Sequence, residues 1–366
     1  MGRPSESASP DVLATTFDDF SRTLADACQR QNGPFINHVS TNNVARDLDV
    51  LRRALGERQI SFYGPSYSSM VGAVYASLFP HHVRAMVLDG ARAPETRDQV
   101  METISETAAG ADLVLHHIDA LCRASSNCLL RNVGVAATLD TVLARLRAAP
   151  VVAPDGRVLD APLFQKLIDT QLSVEATWPI VIQGITAAFG GRFDRIFQAV
   201  PPVGFKFGAG LGAGSVLRAS EFFAFTAVSC IDYGSRRGAA QTLPFDQAFT
   251  AHNRLLTARF DVTATTAMCA AWPAFDQPVI TRVAGKLNNP ILLVGNQFDH
   301  RTPLAWTRSL AHTLGMEKSL IRYEGGGHTA YESQEIPCAA AAIESYLFDL
   351  KVPAEGFSCK ALPVTF

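Results

Sequence analysis

Residues 60–90 follow an order that few folds accommodate. Ile60-Ser61-Phe62-Tyr63 is a short apolar run that ends in Gly64-Pro65. Helical spacing then runs from Ser68 to Leu78 and stops at Pro80. Val83 to Leu88 reads as a second strand, closed by Asp89-Gly90. Strand, sharp turn, helix and strand in that order predict two parallel strands joined by a right-handed crossover, and so an α/β fold. The pattern returns near the other end of the chain. Pro290 to Gly295 reads as a strand, Leu304 to Leu314 as a helix, Ser319 to Tyr323 as a strand and Cys338 to Leu347 as a helix. Ahead of the first unit, residues 11–31 carry Val12, Phe17, Phe20 and Leu24 at helical spacing. Thr41-Asn42-Asn43 caps a second helix that ends at Gly56.

Residues 95–285 read differently. They are mostly helical in pattern, with Pro-rich joints at 150–154 and at Pro201-Pro202. A glycine-rich stretch carries Gly204, Gly208, Gly210, Gly212 and Gly214. No strand precedes it and no Lys-Ser/Thr pair follows, so it reads as a surface loop rather than a phosphate cradle. The expected organisation is a core formed by residues 1–94 and 286–366, interrupted by a helical lid at 95–285. With 366 residues, 48% apolar and 18% charged, the chain can bury such a core. A net charge of −2 without a run of one sign gives no reason to expect a nucleic-acid partner or an anionic membrane. No stretch is apolar for long enough to span a bilayer. Residues 1–10 are polar, rich in Ser and Pro, and lack the apolar segment of a signal peptide.

Three residues lie where such a fold can perform acyl chemistry. Ser66, in Gly64-Pro65-Ser66-Tyr67-Ser68, sits at the sharp turn from strand to helix. A nucleophilic serine needs that turn to push its hydroxyl out of the sheet, with small neighbours to let strand and helix pass. The helix N-terminus beneath it favours developing negative charge, and the Tyr67 N–H is an available oxyanion donor. Alone, the string is equally an ordinary strand–helix turn. Asp299 follows the strand at 291–294, and His328 follows the strand at 319–323 within Gly325-Gly326-Gly327-His328. Ser, Asp and His, each just past the end of its own parallel strand, come in the chain order of an α/β-hydrolase triad. His328 could then take the serine proton while Asp299 fixes its tautomer. His81 and His82 at a helix end, His116 and His117 in the insertion, and His300 beside Asp299 are poorer bases. Asp47 and Asp49 fall on different faces of a helix, and no spacing suits a metal.

Seven cysteines include three local pairs. Cys122 and Cys128 bracket a loop, Cys230 and Cys269 flank a helical stretch, and Cys338 and Cys359 bracket the last helix and the tail, leaving Cys28 over. Spacing alone leaves buried thiols and disulfides both open.

The stretch Thr41 to Asp49, the turn around Ser66 and the run from Phe79-Pro80 to Asp89-Gly90 resemble the secreted tripeptidyl aminopeptidases, relatives of the proline iminopeptidases. So do Pro290 to Asp299, Gly325 to His328 and the Cys338…Cys359 tail. The resemblance runs over nearly the whole chain, more weakly in the insertion. It implies a cofactor-free serine exopeptidase that takes short peptides from free N-termini, with an esterase or lactonase on the same triad as the alternative. It implies export and three disulfides, Cys122–Cys128, Cys230–Cys269 and Cys338–Cys359. It also implies an acidic lid residue for the substrate ammonium, for which Glu221 and Asp232 are candidates. Two departures stand out. Ser68 occupies the last Gly of the usual Gly-x-Ser-x-Gly, and the family's upstream half-sheet, with its Gly-rich oxyanion loop, has no counterpart here. The expectation is a chain truncated at its N-terminus, with Cys28 unpaired and Ile60–Tyr63 left as a sheet edge that the helix at 11–31 could partly cover.

Overall fold

The computed structural model describes residues 9–94, 99–198, 213–233, 236–252, 267–273, 276, 280, 286–334 and 336–366, and of residues 99–103, 213–222 and 246–252 the backbone only. In chain order the α-helices are α1 (Pro10–Asn32), α2 (Thr41–Ala54), α3 (Ser68–Leu78), α4 (Gln99–Ala124), α5 (Val135–Ala148), α6 (Ala161–Leu172), α7 (Trp178–Phe189), α8 (Asp194–Phe197), α9 (Ala213–Asp232), α10 (Ala239–His252), α11 (Leu304–Leu314) and α12 (Pro337–Asp349). The strands are β1 (Ile60–Pro65), β2 (Val83–Asp89), β3 (Val151–Val152), β4 (Val158–Leu159), β5 (Leu292–Phe298), β6 (Leu320–Gly326) and β7 (Ser358–Cys359).

Five strands form one parallel sheet in the order β1-β2-β5-β6-β7. β2 and β5, in its middle, are buried along nearly their whole length because both faces of the sheet are covered there. Met86 and Leu88 of β2 join Leu293, α3 and α11 in one core, while Ala85 and Val87 join Leu292, Val294, Ile321 and α12 in another. Parallel strands end at the same edge, so the loops after β1, β2, β5 and β6 gather there.

The insertion has a core of its own, built by α4 to α8 around Ile118, Leu139, Phe164, Trp178 and Ile185. The Pro-rich joint at 150–154 contains β3, which pairs antiparallel with β4 in a two-residue hairpin too short to leave a periodic signal. β7 in the tail escaped notice for the same reason. Four glycines of the glycine-rich stretch, Gly204 to Gly212, fall outside the described residues, and Gly214 lies in the first turn of α9.

α1 departs from expectation. It does not cover β1. Leu24 and Ala25 pack with Ala227, Cys230 and Ile231 of α9, and Leu13 and Phe17 pack with Ala239 and Leu243 of α10. Its apolar stripe is used against the insertion, so among the described residues β1 has β2 as its one strand neighbour.

Cys122–Cys128, Cys230–Cys269 and Cys338–Cys359 are disulfides in the structure. Cys28 is a free thiol, half-buried beside the second of them. No described helix is long and apolar enough to cross a membrane.

Candidate active site

Ser66 sits between β1 and α3 with φ of 51°, a left-handed conformation that a non-glycine residue adopts only when its surroundings impose it. Those surroundings are identifiable. The Ser66 N–H donates to the carbonyl of Asp89 at 2.8 Å. Its own carbonyl accepts the Ser69 hydroxyl at 2.6 Å, and Ser69 Oγ in turn accepts the Arg92 N–H at 3.1 Å. A Cβ on Gly64 would stand 2.7 Å from the Ser68 carbonyl oxygen, so strand and helix pass too closely for any side chain there. The serine at 68 is no obstacle to the turn, because the crowded side is that of Gly64. Ser69 is wholly buried and forms part of the turn's scaffold.

Tyr67, whose N–H opens α3, is held by its phenol. Tyr67 Oη donates to Asp232 at the end of α9, and Thr41 contributes both its N–H, at 3.0 Å, and its hydroxyl to the same carboxylate. Burial pushes Asp232 above the usual carboxylate range, against the donors that hold it down. The Asp232 oxygens are thus taken up by protein donors. The side chain of Glu221 lies outside the described residues.

Asp299 and His328 meet at the far side of the same edge. His328 Nδ1 lies 2.9 Å from Asp299 Oδ2 and 3.2 Å from Oδ1. Asp299 also accepts the N–H groups of Arg301 and Thr302 at 2.8 and 2.9 Å and the Thr302 hydroxyl at 2.9 Å. Burial pushes the Asp299 carboxyl up, but the facing imidazole and these donors outweigh it, and the net shift is downward. Burial pulls the imidazole of His328 down, and the Asp299 carboxylate, with Asp89 behind it, reverses this so that its pKa is raised. A histidine so oriented holds its proton on Nδ1 and offers Nε2 as a base.

The insertion grips both loops. His328 donates its N–H to the Ser173 carbonyl at 2.7 Å. Glu175, buried and pushed above the usual range by that burial, accepts the Tyr323 hydroxyl and the Gly326 N–H. Gln334 accepts the Glu175 N–H at 2.9 Å and donates to the carbonyls of Gly326 and Thr329. Asn296 of β5 donates to the carbonyls of Gly327 and Thr329, bracketing His328 from the sheet. On the acid side, Arg301 donates to Asp169 of α6 at 2.8 Å, and the buried His300 lies 3.3 Å from the same carboxylate. Burial pushes Asp169 up, but His300 and Arg301 more than offset this and bring it to about 2. His300 is therefore a structural partner of the insertion. His117 stacks on Phe298 with ring centroids 3.7 Å apart. Asp49 is paired with Arg52 and Arg53. Among the described residues no group of His, Cys, Asp and Glu could hold a metal.

Two family models match the chain in separate stretches, one described as alpha/beta hydrolase fold over residues 8–179 and one described as TAP-like protein over residues 257–359. The chain is 26% identical over 357 residues to a tripeptidyl aminopeptidase of Streptomyces lividans, an alignment that covers 93% of this chain and 62% of the relative. It is 25% identical to the serine protease Hip1 of Mycobacterium tuberculosis, covering 89% of this chain and 62% of the relative. It is 27% identical to a carboxylesterase B of the same organism, covering 94% and 65%. The chain thus spans less than two thirds of the length of these relatives.

Proposed function

We propose that the chain belongs to the TAP-like α/β hydrolases and is a serine exopeptidase, with Ser66 as nucleophile, His328 as base and Asp299 as the acid that orients it. The observation that carries this reading is the strained turn at Ser66, set at the sheet edge where the His328–Asp299 pair also stands.

The chemistry follows from the geometry. Neutral His328 accepts the Ser66 Oγ proton as the oxygen attacks the substrate carbonyl, and Asp299 stabilises the imidazolium that forms. Charge on the tetrahedral oxygen is met by the Tyr67 N–H at the start of α3, which Asp232 and Thr41 keep in place through the phenol. The imidazolium then protonates the leaving amine, and an acyl group remains on Ser66 until His328 activates a water to release it.

The insertion forms a wall over one side of the site, and a free N-terminus would be read from its acidic side chains, for which Glu221 and Asp232 of α9 are the candidates. The three disulfides support an exported enzyme. A carboxylesterase is the second reading, and one observation favours it. Asp232 is already satisfied by Thr41 and Tyr67, and an ester substrate needs no ammonium partner. Anilides of a free tripeptide, of the same tripeptide N-acetylated and of a single amino acid, assayed beside a simple acyl ester, separate the readings. Cleavage of the free tripeptide with loss of activity on N-acetylation is expected. Hydrolysis of the ester with no turnover of any anilide would replace the peptidase by the esterase.

A further inference from the structure

Asp89 meets both halves of the site. Its main-chain carbonyl accepts the Ser66 N–H at 2.8 Å. Its carboxylate, two bonds beyond the same Cα, accepts the N–H groups of Ala330 at 2.9 Å and Tyr331 at 3.0 Å, two and three residues after His328. Tyr63 of β1 donates its hydroxyl to that carboxylate at 2.8 Å, and the Tyr63 oxygen accepts the Glu332 N–H at 3.2 Å. Asp89 is fully buried at the end of a strand whose inward residues are otherwise Val83, Ala85, Met86, Val87 and Leu88. A sheet gains nothing from an ionisable group there, and burying one is costly unless its donors are in place. The next residue closes the arrangement. Gly90 has φ of 63°, and a Cβ on it would lie 3.0 Å from Thr302 Oγ1 and 3.4 Å from His328 Cε1, so β2 runs directly up to the imidazole.

We propose that Asp89 is a positioning residue for the reaction. Its carbonyl fixes the backbone of the nucleophile and its carboxylate fixes the loop that carries the base, so that Ser66 and His328 are registered through one buried residue. This rests on the serine-hydrolase reading of Ser66 and His328. A purely structural clasp could be made by a neutral acceptor. A carboxylate adds charge beside the imidazole at the moment it becomes an imidazolium. Burial pushes Asp89 up to about 6, with the Tyr331 and Ala330 N–H groups, the Tyr63 hydroxyl and His328 acting against that rise. The charged groups that act on His328 are Asp299 and Asp89, which favour its protonation, and Arg301, which opposes it.

The test is the rate of Ser66 modification by a fluorophosphonate as a function of pH, in the full chain and in Asp89→Asn and Tyr63→Phe. Asp89→Asn keeps an acceptor but loses the charge. Its rate is expected to fall roughly tenfold or more, the size of one charge-assisted hydrogen bond. Its acid limb should move to lower pH, because His328 loses a neighbour that retains its proton. Tyr63→Phe removes one donor from the carboxylate, which then protonates more readily, so its acid limb should move the same way by less. A role confined to stability would lower the melting temperature and leave the limb in place. If Asp89→Asn does not fold, Tyr63→Phe decides alone. An acid limb unmoved in the folded variant overturns the proposal. Wild-type protein that is not modified at Ser66 at any pH overturns the serine-hydrolase reading instead.

Discussion

Asp299 and His328 stand in loops gripped from several directions, whereas Ser66 stands at the tip of a strand that has one strand neighbour among the described residues. On the acid–base side, Asp169, Ser173 and Glu175 of the insertion hold the residues flanking the pair, and Asn296 and Gln334 hold the loop carbonyls. On the nucleophile side the turn is kept by its own backbone, by Ser69 and by Asp89, and the insertion reaches it at one point, where Asp232 of α9 accepts the Tyr67 hydroxyl. The contrast shows that the insertion, through the corner between α6 and α7, is part of the scaffold of the proposed acid and base.

The largest effect is expected at the insertion's grip. Asp169→Ala leaves Arg301 and His300 without their partner, and breaking a buried ion pair costs about 3 kcal/mol, toward the lower end of the usual range because the Arg301 side chain is a third exposed. Denaturant unfolding measures this, and activity should fall with it, since Arg301 is one of the donors that hold Asp299. The wild-type contribution has a definite sign. Asp169 is lowered in the fold, so its stabilisation is complete above the unfolded value of about 3.9 and fades as pH falls toward about 2. A variant as stable and active as the parent would reduce the insertion to a wall.

Gly64→Ala probes the nucleophile side. The new Cβ meets the Ser68 carbonyl, which is backbone and cannot swing away, so the elbow must open at a cost of about 2 kcal/mol. Activity should fall by more than stability predicts, because Ser66 moves with the turn. Equal losses of both would show that the turn geometry is not tied to the chemistry.

Much of the fold and of the candidate site was legible because both use a local grammar. Strand, loop and functional residue follow one another within a few positions at Ser66, Asp299 and His328, and parallel strands bring their C-terminal ends to one edge. The scaffold around them was not legible, because its contacts carry no local mark. Asp89 reaches Ala330 over 241 positions, Gly326 reaches Glu175 over 151, and Arg301 reaches Asp169 over 132. The available signal was Asp89, an acid that follows the four apolar residues Ala85 to Leu88 at the end of a strand. α1 was misjudged for a related reason. Its stripe of Leu13, Phe17 and Leu24 announced that it packs, but a periodicity cannot name the partner.

The smallest effect sharpens the contrast without a mutation. β5 is flanked by β2 and β6, so its amides are bonded on both sides, whereas alternate amides of β1 face away from β2. Hydrogen exchange followed residue by residue should show those β1 amides exchanging faster than any in β5. Uniform protection along β1 would mean that the edge facing away from β2 is paired in solution, by a second copy or another segment.

The central claim is that Ser66 is the nucleophile of a serine hydrolase. Its most direct test is to treat the protein with a fluorophosphonate and locate the adduct by peptide mass spectrometry, beside Ser66→Ala and His328→Ala. A single adduct on Ser66 is expected, absent in Ser66→Ala and formed far more slowly in His328→Ala, where the base is gone. An adduct on another serine, or labelling that persists in Ser66→Ala, would contradict the account.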